Sequence, residues 1–515
     1  MKAYLLYRDR DADPGAPLPA LAEDAARDLE LSTMFDAMAQ GDDFLRAVSE
    51  RTVLSNLTTG DEVEYRQQIL RDFLDHPAIA REIYGLATNA LRAETSVWRY
   101  YRPSPEMILH RGLQVLKLFV GYLRVLRGIA ESSRRTVHSP GLTRFFSVLQ
   151  AELSDEFFGS AERQLKELKF PDGIRMSAAL GKGLAGDRYV LRAPPDEKKG
   201  WVYRILSRRR PSNRFEIGER DEAGHRSLSE LRDRGVNLVA NAVAQSNDHI
   251  LSFFELVQAE VGFYAGCLNL HDQLVRTGSP ICMPEVRPPR AGELRIRGLY
   301  DPCLALRTGH RTVANDLSAD GKKLVFVCGA NQGGKSTFLR SIGVAHLMMG
   351  AGLFLPAESC TGSLASGVFT HFKREEDATM TRGKLEEELN RMRQIVGQIQ
   401  PGSLLLCNES FSSTNEREGS EIARQLIQAL GENGVRIVFV TFLYDLVDGF
   451  TRPPADPSML LLNAERLPDG RRTYRMVEGA PLPTSYGEDL YRKIFGSNSA
   501  TSPPDAVGAP VSSAS

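Results

Sequence analysis

Apolar residues recur at helical spacing through roughly the first 180 positions. Ile69 to Leu86, Met107 to Leu126 and Leu142 to Leu168 each carry an apolar stripe that predicts a helix. The run MILHRGLQVLKLFVGYLRVLRG is too charged for lipid and suits a buried core helix. Between 181 and 225 the pattern changes. RYVLR, WVYRIL and RFEIG read as short strands broken by APPDEKKG and SRRRPSN. Helical spacing returns from Leu228 to about Thr277. The pattern therefore predicts a mostly α-helical region over 1–290 with a small β insertion at about 181–225.

Pro280 to Gly292, with four prolines, reads as a linker. Beyond it the grammar is α/β. Leu324 to Cys328, Leu404 to Cys407 and Val435 to Val440 are short continuous apolar runs, as expected of strands buried on both faces. A helix pattern, Glu418 to Leu430, lies between the last two. An α/β domain is expected over 291–496. The tail at 497–515, SNSATSPPDAVGAPVSSAS with its flanks, is too polar and small to pack and is expected to be disordered.

Composition narrows the function classes. The chain has 515 residues, enough for about three or four domains. Lys+Arg 64 against Asp+Glu 65 leaves a net charge of -1, which excludes a strongly basic nucleic-acid protein but not a local basic patch. No apolar stretch approaches the roughly 18 residues a membrane span needs, and the N-terminus turns acidic and Pro/Gly-rich too early for a signal peptide. No membrane association is expected. Six scattered cysteines without a CxxC pair read as thiols in a reducing cytoplasm.

The sharpest chemical signal is Gly329-Ala330-Asn331-Gln332-Gly333-Gly334-Lys335-Ser336-Thr337. It fits GxxxxGK[ST], follows the strand KKLVFVC and precedes the amphipathic STFLRSIGVAHLMM, the setting of a P-loop. Glycines let backbone N–H groups approach phosphates, Lys335 pairs with the outer phosphates, and Ser336 ligates Mg²⁺. ATP and Mg²⁺ are the expected cofactors. A second strand ending in acid is needed, and Leu404-Leu-Leu-Cys-Asn408-Glu409 supplies it. Glu409 is the candidate catalytic base. Asn408 stands where a metal-binding Asp is usual, and its amide oxygen is a weaker Mg²⁺ partner than a carboxylate.

With these residues in view, GANQGGKSTFLRSIG resembles the Walker A region of the MutS DNA mismatch-repair ATPases. Gly298-Leu-Tyr-Asp-Pro302, Val313-Ala-Asn315-Asp316-Leu, Leu355-Pro-Ala-Glu358, the Walker B segment Asn408 to Gly419 and Ser485-Tyr-Gly487 resemble family stretches in the same order. The resemblance covers 294–496 and continues weakly into the helical part, at YRQQILRDFLDHP. It implies a multidomain fold: a helical core and lever region with a clamp-like β insertion, then an α/β P-loop NTPase domain of the MutS/ABC type. It also implies an ATP-gated homodimer, joined through the ATPase domains, that acts on DNA in mismatch repair or a related transaction.

The departures from the family pattern matter equally. The chain starts at the core region, so the mismatch-reading and connector domains are expected to be absent. The family's Walker B Asp is Asn408, and its histidine after the next strand is Phe442 in Thr441-Phe442. Its signature Ser-Thr-Phe is replaced by Gly383-Lys384-Leu385, with Thr379 or Thr381 as substitutes. These changes support an alternative, a hydrolysis-impaired, nucleotide-dependent dimerisation scaffold without mismatch recognition. Other features read as structural. Leu385, Leu389, Met392, Val396 and Ile399 form a helical stripe expected in the core, and Glu386 to Glu388 a solvated face. Arg208 to Arg210, with Lys198 and Lys199, face phosphates or solvent equally well, since six acids flank them. His271 and His371 carry no chemical assignment.

Overall fold

The computed structural model describes residues 1–13, 15–98, 104–171, 173–182, 186–192, 216–288, 292–374, 383–452 and 456–481. The expected strand WVYRIL, the cations at 198, 199 and 208–210, Thr379, Thr381, Ser485 to Gly487 and the tail lie outside the described residues. Two compact units form, each discontinuous in sequence: Met1–Pro14 with Gln68–Ala265, and Gly15–Gln67 with Gly266–Ser515. They cut across the boundary at 290, because 15–67 belongs with the α/β region.

The described elements are α1 (Ala22–Asp28), α2 (Ser32–Ala39), α3 (Asp43–Leu54), α4 (Gly60–Asp75), α5 (Pro77–Ser96), α6 (Pro105–Ser133), α7 (Pro140–Glu152) and α8 (Asp155–Glu167). The hairpin β1 (Met176–Leu180) and β2 (Gly186–Leu191) comes next, and then α9 (Glu222–Arg276). The rest is β3 (Glu285–Arg287), β4 (Leu294–Leu299), α10 (Pro302–Thr308), β5 (Asn315–Ser318), β6 (Leu324–Gly329), α11 (Lys335–Gly350), β7 (Ser359–Ser363) and β8 (Val368–Phe372). It closes with α12 (Lys384–Val396), β9 (Leu404–Asn408), α13 (Glu416–Glu432), β10 (Arg436–Val440), α14 (Tyr444–Thr451), β11 (Met459–Arg466) and β12 (Arg472–Glu478). The described chain is thus a helix-rich, multidomain α/β fold with mixed sheets.

In the first unit, local chemistry divides the helices more finely than periodicity suggests. The run expected over 69–86 breaks at His76, because Pro77 lacks an N–H and suits the first turn of α5. The run over 142–168 breaks at Ser154, whose hydroxyl accepts from Phe157 N and caps α8. Ser104 and Ser139 cap α6 and α7 in the same way, each followed by proline. Leu109 and Leu113 of α6 pack with Leu165, Val236, Ala240 and Val243. Residues 176–180, read as helical from sequence, form β1, antiparallel to β2. The β insertion therefore starts before 181.

At the N-terminus, the buried Glu260 carboxylate accepts from Leu5 N (2.5 Å), Leu6 N (3.3 Å) and Ala12 N (2.7 Å), tying the first residues to α9. α9 is also long enough to cross a membrane, with an 18-residue window of hydropathy 1.2. That window is 67% buried in the protein, as in the core helix of a globular domain.

The second unit holds a six-stranded sheet in the order β12-β11-β6-β10-β9-β8 and a four-stranded sheet ordered β3-β7-β4-β5. β11, β6, β10, β9 and β8 run parallel, with β12 antiparallel at the edge. β6 is buried along its whole length, which explains its unbroken apolar sequence. Phe326, Leu405, Phe439 and Ile427 share one core. The proline-rich stretch is more than a linker: Cys282 bridges Leu355, and β3 pairs with β7.

Helix α12 corrects two readings. Met392 and Ile395 are buried, but Leu389 (40%) and Val396 (45%) are exposed, so only part of the expected stripe is core. Glu388, read as solvated, is 2% exposed.

Candidate functional site

The strand β6 ends in Gly329, and the chain turns through 330–334 into α11. Gly329 has φ +99, and a Cβ there would lie 2.8 Å from Ala464 N of the adjacent β11. Gly334, at φ +89, occupies the N-cap of α11. Side chains at both positions are strained, so glycine at each is a backbone requirement. The loop thus delivers the N-terminus of α11, with its free N–H groups and partial positive charge, to the carboxyl edge of a parallel sheet.

Lys335 is buried. Its Nζ donates to the carbonyls of Gly329 and Ala330 in its own loop, at 3.1 Å each. Burial holds its pKa below the usual lysine range, while the nearby Glu409 carboxylate opposes that shift. Ser336 Oγ donates to Asn408 Oδ1 at 3.1 Å. Glu409 follows with φ +55, its N–H donating to Val440 O. Asn331 to Thr337 and Glu409 line a cavity of about 550 Å³, whose other wall is Leu299 to Asp301, Leu304, Arg311 to Val313, Asn315 and Tyr474.

Gly329, Ala330 and Asn408 stand behind the cavity wall and hold Lys335 and Ser336. Thr441 is buried with its hydroxyl accepting from Leu443 N, and Phe442 is 46% exposed and outside the wall.

The donor set bears on the expected metal. Among the described residues no group of three or more His, Cys, Asp or Glu could hold an ion. Ser336 and Asn408 present two neutral oxygens side by side, and Glu409 adds a carboxylate. Such hard oxygens fit Mg²⁺, which binds few protein ligands and completes its shell with phosphates and water.

A buried network behind the second strand end was not legible in the sequence. His371 of β8 faces Glu388 O through Nε2 (3.0 Å), so that nitrogen carries the hydrogen, and Nδ1 accepts from Ser410 Oγ (2.7 Å). Burial pushes His371 down to about 4, leaving it neutral at pH 7. Ser413 Oγ donates to Glu388 Oε1 at 3.0 Å, and burial raises the Glu388 carboxyl above its usual range. The strained segment after Asn408, with Phe411 also at φ +61, is thereby tied to β8 and α12. The apolar stripe from Leu385 to Ile399 gave no hint of this, because a buried glutamate in the acidic run Glu386 to Glu388 looks like any other. Tyr474 was also missed, since no motif surrounds it. The six cysteines are free thiols.

These features define the class: an α/β protein with a glycine-rich strand–loop–helix at the carboxyl edge of a parallel sheet, facing a second strand that ends in Asn-Glu. Two family descriptions match the chain, MutS2 N-terminal domain over 58–277 and MutS domain V over 325–493. The chain belongs to the MutS family. It is 26% identical over 272 residues to an endonuclease MutS2 from Lactiplantibacillus plantarum, covering 52% of this chain and 31% of that protein. It is 29% identical over 305 residues to the DNA mismatch repair protein MutS of Thermus thermophilus, covering 58% and 35%. A Thermotoga petrophila MutS is 29% identical over 206 residues, covering 40% and 26%. The chain thus spans about a third or less of the length of these curated relatives.

Proposed function

We propose that the chain binds Mg²⁺-ATP at the 329–337 loop, hydrolyses it slowly, and uses the nucleotide state to gate a homodimer, joined through the α/β regions, that acts on DNA. One observation carries the reading: Lys335 and Ser336 at the start of α11 and Glu409 just after β9 line one cavity, and Ser336 is hydrogen-bonded to Asn408. MutS relatives named for DNA mismatch repair support the DNA part.

The residues divide the work. The N-terminus of α11 receives phosphate oxygens, and Lys335 turns from its own carbonyls to the outer phosphates. Ser336 and Asn408 hold the metal. Bound Mg²⁺ supplies neutralising charge for the β- and γ-phosphates. Glu409 orients a water in line with the γ-phosphate and takes its proton. Asn408 carries no charge and Phe442 offers no donor, which favours tight binding with slow turnover. The same two residues favour the second reading, a dimerisation scaffold that binds ATP without useful hydrolysis.

Turnover of purified protein, with and without matched, mismatched and branched DNA, tests the proposal. ATP binding that depends on Lys335, turnover that depends on Glu409, and ATP-dependent dimers are expected. A strictly monomeric protein at all concentrations with Mg²⁺-ATP would sink the gating. DNA affinity is expected to fall steeply with salt and to be equal for matched and mismatched duplex. A clear preference for one mismatch would contradict this.

A further inference from the structure

We infer that His371 is a positioning residue for Glu409: through the Ser410 hydroxyl it fixes the turn that aims the Glu409 carboxylate at the attacking water. The inference rests on the hydrolysis reading of the cavity and adds a histidine to which the sequence gave no chemical role.

The need for such a residue arises where the sheet ends. β8 pairs with β9 as far as Phe372 opposite Asn408, and Lys373 N donates to Asn408 O at 3.0 Å. β9 stops there, and the chain turns out of the sheet. On the β10 side, Glu409 N donates to Val440 O at 2.9 Å. Glu409 and Phe411, the residues on either side of Ser410, have φ +55 and φ +61. Residues with a side chain rarely adopt such angles, and hold them only where surrounding contacts over-determine the backbone.

His371 supplies those contacts. It is fully buried, as is Ser410. Ser410 Oγ lies 2.7 Å from His371 Nδ1 and 2.8 Å from His371 O, so its one hydrogen has two acceptors and both belong to the same residue. Nε2 donates to Glu388 O at 3.0 Å, which sets the ring plane against α12. The ring also stacks on Phe411, with centroids 5.4 Å apart and planes at 24°. One imidazole therefore holds both residues that follow Glu409. Ser413, donating to Glu388 Oε1 at 3.0 Å, fastens the same turn to α12 a second time. An apolar ring would fill the space equally well; what the imidazole adds is a fixed acceptor for Ser410. Neither His371 nor Ser410 lines the cavity. Both act on the nucleotide through Glu409, whose carboxylate orients the water, and not through the groups that hold the phosphates. Loss of their contact should slow the chemical step and leave binding alone, since a misplacement of about 1 Å costs up to about 100-fold in rate.

Single-turnover hydrolysis of Mg²⁺-ATP, and its affinity by calorimetry, test this on the full chain carrying His371→Gln, Ser410→Ala or both. His371→Gln keeps a donor for Glu388 O and loses the acceptor at Nδ1. Each single variant is expected to slow hydrolysis about tenfold, with ATP affinity within about twofold of wild type. The double variant should be no slower than the singles, because both changes break one contact. His371→Asn, whose Oδ1 replaces the lost acceptor, should recover most of the rate. Wild-type rates in both single variants would overturn the inference. So would losses that multiply in the double variant, a His371→Asn as slow as His371→Gln, or an ATP affinity that falls in step with the rate; each would make His371 a packing residue only. A wild-type chain that binds ATP without hydrolysing it, or whose turnover survives Glu409→Ala, has no base to position: the inference then falls while nucleotide binding stands. A chain that does not bind ATP overturns both. Should His371→Gln fail to fold, Ser410→Ala decides by the same split of rate from affinity.

Discussion

Replacing Lys335 by alanine removes the cation nearest the 329–337 loop, and the geometry sets the scale of the effect. The ammonium is held by two carbonyls at 3.1 Å. To bind outer phosphates it exchanges those two bonds for two to anionic oxygens. Charge-assisted bonds to a phosphate are worth about 1.5–3 kcal/mol each, and ordinary ones about 1 kcal/mol. The exchange then gains roughly 1–4 kcal/mol, or about 5- to 700-fold in affinity. Lys335→Ala should therefore raise the Kd for Mg²⁺-ATP by about that factor, measured by calorimetry near neutral pH. The site also predicts a pH dependence. Burial lowers the Lys335 pKa, so the ammonium is lost at lower pH than for a free lysine, and wild-type affinity should decline on the alkaline side. The alanine variant should lack that decline. A variant that folds normally and binds Mg²⁺-ATP within threefold of wild type would refute the reasoning.

Asn408→Asp, which puts a carboxylate beside Ser336, should tighten Mg²⁺ dependence about tenfold or more and raise turnover, read by metal titration of the ATPase rate. An unchanged metal titration would mean Asn408 does not face the ion. Gly329→Ala forces a Cβ to 2.8 Å from Ala464 N at φ +99, and should destabilise the second unit by about 2 kcal/mol or more, seen as a lowered denaturant midpoint. Glu260 has its carboxyl pushed up to about 7 by burial, from 4.5, so the folded state keeps a proton that the unfolded state releases in that window. Stability should therefore fall as pH rises from about 4.5 to 7, by up to roughly 3 kcal/mol, and Glu260→Gln should flatten that slope in urea titrations of the full chain.

What could be seen in the sequence was what a short local pattern encodes. β6, β9 and β10 are continuous apolar runs because a parallel strand buried on both faces leaves no polar alternation. The glycine-rich loop was legible because backbone angles at Gly329 and Gly334 admit little else. Helix extents were less legible. Pro77 and Ser154 start new helices without changing the apolar stripe, so periodicity alone ran through both breaks. The same limit hid the β1 strand and the pairing of β3 with β7, since a three-residue strand has too few positions to show a period.

What stayed hidden depends on tertiary contacts between residues distant in sequence. Glu388 sits in an acidic run on a helix with an exposed face, and only the fold turns its carboxylate inward to Ser413 and brings its carbonyl to the His371 ring. Tyr474 depends on Asn315, 159 residues earlier, for the clamp that holds it in the cavity wall. In both cases the chemistry lies in a pair whose members each look ordinary. The loop motif announces where phosphate can bind, because that task needs contiguous backbone. Bracing the segment at Glu409 to Phe411, where φ is positive, draws on side chains brought from β8 and α12. A reading confined to motifs finds the cradle in a chain like this one and misses the buried contacts that brace the strand end facing it.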